Sequence, residues 1–77
     1  MIIDLIVLKE DDGFTAYVPS LKGCDSWAHN EDDALIKAVE LAAFYLSIDD
    51  PSDLKVDKAR VQKNKSVYKL IFNKKPY

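Results

Sequence analysis

The sequence contains one cysteine, one histidine and two glycines, and each scarcity excludes a class of site. A single cysteine, Cys24, cannot form an internal disulfide, and one Cys with one His offers too few ligands for the zinc sites of small domains. Two glycines, Gly13 and Gly23, cannot build the Gly-rich loop that cradles a phosphate. No structural metal and no cofactor is therefore expected.

Long hydrophobic runs are also missing. The apolar stretches at residues 1–8 and 41–46 are interrupted or bounded by charge, well short of the ~20 residues that a membrane span needs. The N-terminus has neither the basic flank nor the small-residue cleavage site of a secretory signal, so we expect a cytoplasmic protein with no membrane contact. With 77 residues, 48% hydrophobic and 31% charged, the composition predicts one folded domain over residues 1–77.

Charge is divided unevenly along the chain. Residues 1–53 hold 12 Asp and Glu against 3 Lys and Arg, a net charge of −9, whereas residues 54–77 hold 1 against 8, a net charge of +7. A basic segment of this kind occurs in nucleic-acid-binding tails, and it is also typical of an edge strand that lysine keeps soluble. We favour the second interpretation and keep the first as an alternative.

The first third of the chain predicts three antiparallel strands. Residues 2–9 are rich in β-branched and aliphatic side chains, and residues 14–18 alternate apolar with polar or amphipathic positions. Between them, Asp12-Gly13 predicts a tight hairpin, because Gly tolerates a positive φ. Residues 24–28 are expected to form a short third strand.

Asn30, followed by three acidic residues, predicts the start of a helix over residues 31–48. Its side chain is a good N-cap, and the helix dipole favours carboxylates in the first turn. Apolar residues recur on one side at helical spacing, with Ala38 and Ala42 allowing close approach to a sheet. On the polar side, Phe44 lies among charged residues, where it is either an interface residue or one of the single exposed rings that monomers tolerate.

Residues 66–72 alternate again and predict a last strand, while residues 52–65 are ambiguous between a short helix and a strand with a turn. The order βββα then β predicts an α+β fold, with an antiparallel sheet of three to five strands and one main helix packed on one face. The first strand has aliphatic side chains on both sides. Unless residues 52–65 cover the second side, an apolar surface is left for another chain, so we expect a homo-oligomer, a dimer or higher.

No catalytic set can be assembled from the reactive side chains. His29 has no serine or second cysteine placed by the sequence to form a nucleophile and base, and Cys24 falls in a strand where a free thiol acts as a small hydrophobe. The acidic clusters occupy a hairpin turn and a helix start, places that explain them without metal. These residues are Glu10, Asp11, Asp12, Glu31, Asp32 and Asp33. We therefore expect no enzyme.

The basic C-terminal strand suggests an alternative function, a stacking platform for single-stranded nucleic acid. Its residues are Lys63, Lys65, Tyr68, Lys69, Phe72, Lys74 and Lys75. A half-buried strand accounts for the same pattern, so nucleic-acid binding is not expected without a separate DNA-binding domain.

The run GFTAYVPSLKGCDSWAHNEDDALIKAVELAAFYL, residues 13–46, resembles the N-terminal domain of HicB-type antitoxins. That family has roughly G-x-x-A-x-V-P-x-L-P-G-C-x-S, a short turn, E-E-A-L and an alanine-rich helix ending in Y-L. The matching residues are Gly13, Ala16, Val18, Pro19, Leu21, Gly23, Cys24, Ser26, Ala34, Leu35, Ala38, Tyr45 and Leu46. The resemblance implies a partial RNase H-like fold without nuclease carboxylates, and neutralisation of HicA, a small mRNA-cleaving toxin, by covering it.

Some positions depart from the family pattern. Lys22 replaces the usual second proline, and Ala28-His29-Asn30 stands where Gly-Asp-Thr is common, although Asn30 keeps a capping side chain. Residues 47–77 lack the helix-turn-helix or ribbon-helix-helix pattern of longer HicB proteins, so operator binding is not carried over.

We therefore expect a single HicB-like domain that binds a HicA-like toxin protein, using its acidic half for electrostatic steering. The alternatives are the stand-alone nucleic-acid-binding protein and an orphan HicB-like protein without a toxin. The partner-binding residues are expected in the acidic turn, on the helix surface and on the exposed sheet face. They are Glu10, Asp11, Asp12, Tyr17, Trp27, Lys37, Glu40 and Phe44.

Overall fold

The fold is an antiparallel sheet of five strands with one helix against it, in a computed structural model that describes residues 2–50 and 53–72. The elements in chain order are β1 (Ile2–Lys9), β2 (Phe14–Tyr17), β3 (Asp25–Ala28), α1 (Glu31–Tyr45), β4 (Lys55–Gln62) and β5 (Lys65–Ile71). The strand order is β3-β2-β1-β5-β4, so β1 is central. The predicted α+β fold is confirmed, and the described part of the ambiguous stretch contributes β4 and a turn.

β1 carries apolar side chains on both faces of the sheet, as predicted, because alternate residues of a strand point to opposite sides. Leu5 and Val7 point toward α1, on what we call the helix face, and are 0% and 1% exposed. Ile2, Ile6 and Leu8 point away from α1, on what we call the open face. Ile6 and Leu8 are only half-buried there, and Ile2 is exposed.

α1 packs on the helix face through small side chains. Ala34, Ala38 and Ala42 are fully buried, and they let the helix lie close to β3, β2 and β1. The larger side chains of the sheet fill the core from the other side. The alternation predicted for residues 66–72 places Tyr68, Leu70 and Phe72 on the helix face, where all three are buried.

Cys24 is buried in this core, as predicted. Its thiol is 2% exposed and lies 3.9 Å from the Ala38 carbonyl oxygen. Burial raises the pKa of this thiol, and the negative charge of Asp25 raises it further. Cys24 therefore stays a neutral thiol and acts as a small core residue.

The helix begins where the sequence predicts and ends three residues earlier. The Asn30 side-chain oxygen accepts a hydrogen bond from the Asp33 amide at 2.8 Å, which confirms the N-cap. At the other end, Ser47 adopts a φ of 57°, and the amides of Ser47 and Ile48 donate to the carbonyls of Phe44 and Ala43. This is a Schellman C-cap, which reverses the chain before Pro51.

The β1–β2 turn differs from the expected glycine hairpin. Four residues, Glu10 to Gly13, connect the strands, and the Glu10 amide donates to the Gly13 carbonyl at 2.8 Å. Gly13 has no positive φ. Its missing side chain instead makes room for Trp27, since a Cβ there would lie 2.3 Å from the Trp27 Cζ2 atom. The prediction of a positive φ at Gly13 was therefore wrong, and close approach of the indole is the reason for glycine.

Ser47→Gly is expected to stabilise the fold by about 0.5–1 kcal/mol. The left-handed conformation costs an L-residue about 1–2 kcal/mol, and glycine removes this cost. Part of the resulting gain in stability is offset, because glycine has more conformational freedom in the unfolded chain. Urea unfolding should show a higher midpoint with an unchanged m-value. Ser20→Gly is the control, since Ser20 has no positive φ, and it should gain nothing. A lower midpoint for Ser47→Gly would contradict this account of the C-cap.

Candidate protein-interaction surfaces

The open face is an apolar surface that no described element covers. The sequence left open whether residues 52–65 cover this face. In the structure β4 lies in the plane of the sheet, paired with β5 at the edge, and does not cover it. Across the middle of this face, Ile6 pairs with Tyr17 on one side and with Val67 on the other. Val67 is buried by its neighbours alone, whereas Ile2 is 62% exposed. The sheet therefore presents unshielded aliphatic and aromatic side chains on this side.

Charged side chains line the β5–β4 side of the open face, where the cations of Lys55, Arg60, Lys65 and Lys69 outnumber the single carboxylate of Asp57. Lys69 forms an ion pair with Asp4 of β1 across the strands. A β-bulge at Ala59 shifts the register of β4 between Lys58 and Arg60. Next to it lies a hollow of about 290 Å³, lined by Asp4, Ala59, Arg60, Val67 and Lys69. Cationic side chains thus flank the apolar centre on this side.

The β3 side of the open face is aromatic. The Trp27 ring lies over Gly13, where only a glycine leaves room for it, and the His29 ring meets it edge-on with ring centroids 4.8 Å apart. Trp27 is 39% exposed. In the neighbouring turn, the Thr15 hydroxyl donates to the Glu10 carboxylate at 2.7 Å. This contact holds one carboxylate of the acidic turn beside the sheet.

A second apolar surface lies on the opposite side of the molecule, along α1. A shallow groove of about 430 Å³ is lined by Ser26, Lys37, Glu40, Leu41 and Phe44. Phe44 is 80% exposed, the most exposed of the large hydrophobic residues in the described ranges. The Lys37 ammonium lies 3.5 Å from the Trp27 carbonyl oxygen, at the open edge of β3. The prediction that Phe44 is exposed among Lys37 and Glu40 is confirmed.

A polar cluster fastens the start of α1 to the far half of the sheet. The Tyr68 hydroxyl of β5 donates a hydrogen bond to the Glu31 carboxylate, and the Lys58 ammonium lies 3.5 Å from the same carboxylate oxygen. The Lys58 ammonium is also 5.6 Å from the Tyr68 ring centroid. Burial raises the pKa of Tyr68, and the hydrogen bond to Glu31 and the charges of Glu31 and Asp32 raise it further.

Sequence patterns did not indicate this cluster. Glu31 was assigned only to the helix dipole, and Tyr68 only to the half-buried last strand or the stacking platform. The two residues are 37 positions apart in the chain, and neither periodicity nor a motif connects them. The contact depends on how far α1 reaches across the sheet.

The predicted partner-binding residues do not form one site. Lys37, Glu40 and Phe44 meet in the helix groove. Tyr17 and Trp27 lie on the open face, on the other side of the sheet. Glu10, Asp11 and Asp12 form the turn at the end of β1 and are all exposed. The structure thus divides the predicted set among two surfaces and one end of the sheet.

The proposed stacking platform for nucleic acid is not assembled in β5. Tyr68 and Phe72 are buried on the helix face, whereas Lys65 and Lys69 lie on the open face. Alternation along the strand therefore separates the aromatic rings from the cations. Lys74 and Lys75 lie outside the described residues.

Within residues 2–50 and 53–72, no group of three or more His, Cys, Asp or Glu side chains is arranged to hold a metal ion. In the same ranges, α1 is too short and too polar to cross a membrane. The described chain is an α+β module with apolar surfaces on opposite sides.

The comparisons with known proteins place this module in a family. A protein from Helicobacter pylori (strain J99) named UPF0150 protein is 35% identical over 68 residues, which is 87% of this chain and 88% of that protein. The chain therefore belongs to the UPF0150 family. No family model and no solved structure matches it.

Tyr68→Phe is expected to lower the free energy of unfolding by about 1 kcal/mol at neutral pH, because it removes a hydrogen bond to a carboxylate. Because the pKa of Tyr68 is raised in the folded state, its contribution is fully present below the unfolded pKa of about 10 and is lost as pH rises above that value. Urea unfolding from neutral to alkaline pH measures both effects.

The variant should lose stability less steeply than the wild type above about pH 10. Glu31→Gln, which removes the acceptor charge, should flatten the same part of the curve. Identical alkaline slopes for wild type and Tyr68→Phe would contradict the coupling of Tyr68 to Glu31.

Proposed function

We propose that this chain is a non-enzymatic, cytoplasmic antitoxin of the HicB type, which neutralises a HicA-like mRNA-cleaving toxin by binding and covering it. The observation that carries the proposal is the surface of α1, where an exposed phenylalanine lies in an apolar groove on an acidic helix. Protein interfaces have this anatomy, with an aromatic anchor at the centre and a polar rim.

The charge of α1 fits a basic partner. Its fifteen residues contain four acidic side chains and one basic side chain, Lys37, a net charge of −3. A protein that binds and cuts RNA needs a cationic surface for the phosphates. An acidic helix would both attract such a surface and occupy it, which increases the association rate and blocks access of RNA.

The groove also lies within the part of the chain that resembles HicB. Residues 13–46 contain β2, β3 and α1, and these elements supply Ser26 and all the helix residues of the groove. The Phe44 ring contacts the Tyr45 ring edge-on, at a centroid distance of 6.3 Å. Its neighbours Leu41 and Lys37 provide an apolar floor and a polar wall. An aromatic ring of the toxin would enter this groove beside Phe44, or the Phe44 ring would enter a pocket of the toxin.

The test is a calorimetric titration with a purified HicA-like protein from the same genome, inactivated at its catalytic histidine. Phe44→Ala should weaken binding about 10- to 100-fold, since burying a Phe contributes roughly 1.5–3 kcal/mol. Glu40→Lys should weaken binding too and slow association, with a smaller effect at high salt.

Val61→Ala is the matched control. Val61 is 63% exposed, but it lies on β4 outside the groove, so its loss should leave the affinity unchanged. Absence of binding by the wild type, or an unchanged affinity for Phe44→Ala, would overturn the proposal.

A further inference from the structure

One row of side chains across the open face carries opposite charges at its two ends. This row follows the strand register across the whole sheet: Asp25 of β3, Tyr17 of β2, Ile6 of β1, Val67 of β5 and Arg60 of β4. The row therefore begins with a carboxylate, has three apolar members and ends with a guanidinium. Asp25 and Arg60 are both exposed.

The neighbouring row has a cation on the same side but carries no carboxylate. It contains Trp27, Thr15, Leu8, Lys65 and Gln62, again with an aliphatic residue of β1 in the middle. Both rows are centred on β1, and the cations lie on the β5–β4 side. When two copies stack with opposite strand order, the acidic end of the first row in one copy faces the basic end in the other. The apolar centres of the two rows face each other.

The turns at one end of the sheet continue the pattern. The Lys9 amide donates to the Asn64 carbonyl at 2.9 Å, so the acidic turn of residues 10–13 and the β4–β5 turn with Lys63 lie at the same end. The acidic turn is on the β2 side of β1, and Lys63 is on the β4 side. Reversal of the strand order thus brings carboxylates over a lysine here as well.

Symmetry selects one way to pair two copies. A two-fold axis along the strands stacks the two open faces with reversed strand order, so β3 lies over β4 and β1 over β1. Asp25 of each copy then faces Arg60 of the other, and the two Ile6 side chains meet near the axis. The two Asp4 carboxylates also meet near the axis, each neutralised by Lys69 of its own copy. A two-fold axis across the strands would stack Asp25 on Asp25 and Arg60 on Arg60, which like-charge repulsion disfavours.

The size of the face is at the lower limit for a specific dimer. The five strands hold 31 residues, and at about 4.8 Å by 3.3 Å per residue they give roughly 490 Å² per copy, or about 980 Å² in total. Biological interfaces start at about 1,000 Å². Two sheets stacked face to face lie about 10 Å apart, which the half-buried Ile6, Leu8 and Tyr17 can fill.

We propose that two copies of this chain form a two-fold dimer through their open faces, with the axis along the strands. This inference goes beyond the proposed function, because it uses the side of the sheet opposite to α1. Both helix grooves stay exposed in the dimer. One dimer therefore offers two partner-binding surfaces, pointing in opposite directions.

Sedimentation equilibrium of the wild type and two isoleucine variants tests the interface. Ile6→Lys places two ammonium groups at the axis and should weaken dimerisation at least tenfold. Ile36→Lys is the matched control, since Ile36 is 54% exposed on α1, and it should sediment as the wild type does. Circular dichroism of each variant establishes that it is folded.

Charge reversal tests the orientation without disturbing the core. Asp25→Arg and Arg60→Asp should each weaken dimerisation, because each brings like charges together. The chain with both reversals should recover most of the wild-type association, since the two charges have only exchanged places. The loss in each single variant is the result that the other two-fold axis does not predict, because with that axis like charges face each other before and after each reversal.

Two results would overturn the dimer. One is a wild-type chain that stays monomeric at about 100 μM, a concentration at which even a weak specific dimer is populated. The other is a dimer that tolerates Ile6→Lys and both single reversals. Neither result bears on toxin binding, which Phe44 tests separately.

Discussion

The structure depends on one constraint, that a single helix shields only one side of a two-sided sheet. β1 is the central strand, and its aliphatic side chains alternate between the helix face and the open face. α1 covers Leu5 and Val7 through its alanine stripe and leaves Ile6 and Leu8 on the other side. Burial of apolar area is the main driving force for association as well as for folding. A second polypeptide would therefore bury most apolar area by binding to the uncovered side.

Charge follows the same division as the fold. The acidic part of the chain forms β1, β2, β3 and α1, and the basic part forms β4 and β5, so the separation along the sequence becomes a separation across the sheet. On the helix side it leaves α1 with a net negative charge, with three carboxylates in the first turn and Glu40 beside Phe44. On the open face it leaves an acidic end and a basic end on either side of an apolar centre. The same asymmetry thus supports a basic partner at one surface and a second copy at the other.

Much of the fold could be predicted from local patterns. Aliphatic and β-branched content identified β1, and alternation identified β2 and β5. The Asn30 cap with the following carboxylates located the start of α1. β4 could not be assigned, because an exposed edge strand of charged residues has little apolar alternation, and its bulge breaks the period. The helix end was missed because Ser47 takes the left-handed C-cap position that usually signals itself with glycine. The contact of Glu31 with Tyr68 and the approach of Trp27 to Gly13 join residues that are far apart in the sequence, so no local pattern indicates them.

The candidate surfaces were only partly predictable. Exposure of Phe44 followed from helical spacing, but spacing could not show that Tyr17 and Trp27 lie on the other side of the sheet.

The most direct test of the central constraint is a filtered NOE measurement on a mixture of isotope-labelled and unlabelled chains. Contacts between copies at the methyl groups of Ile6 and Leu8 are predicted. Contacts between copies that involve Phe44 instead, or none at all, would contradict the account.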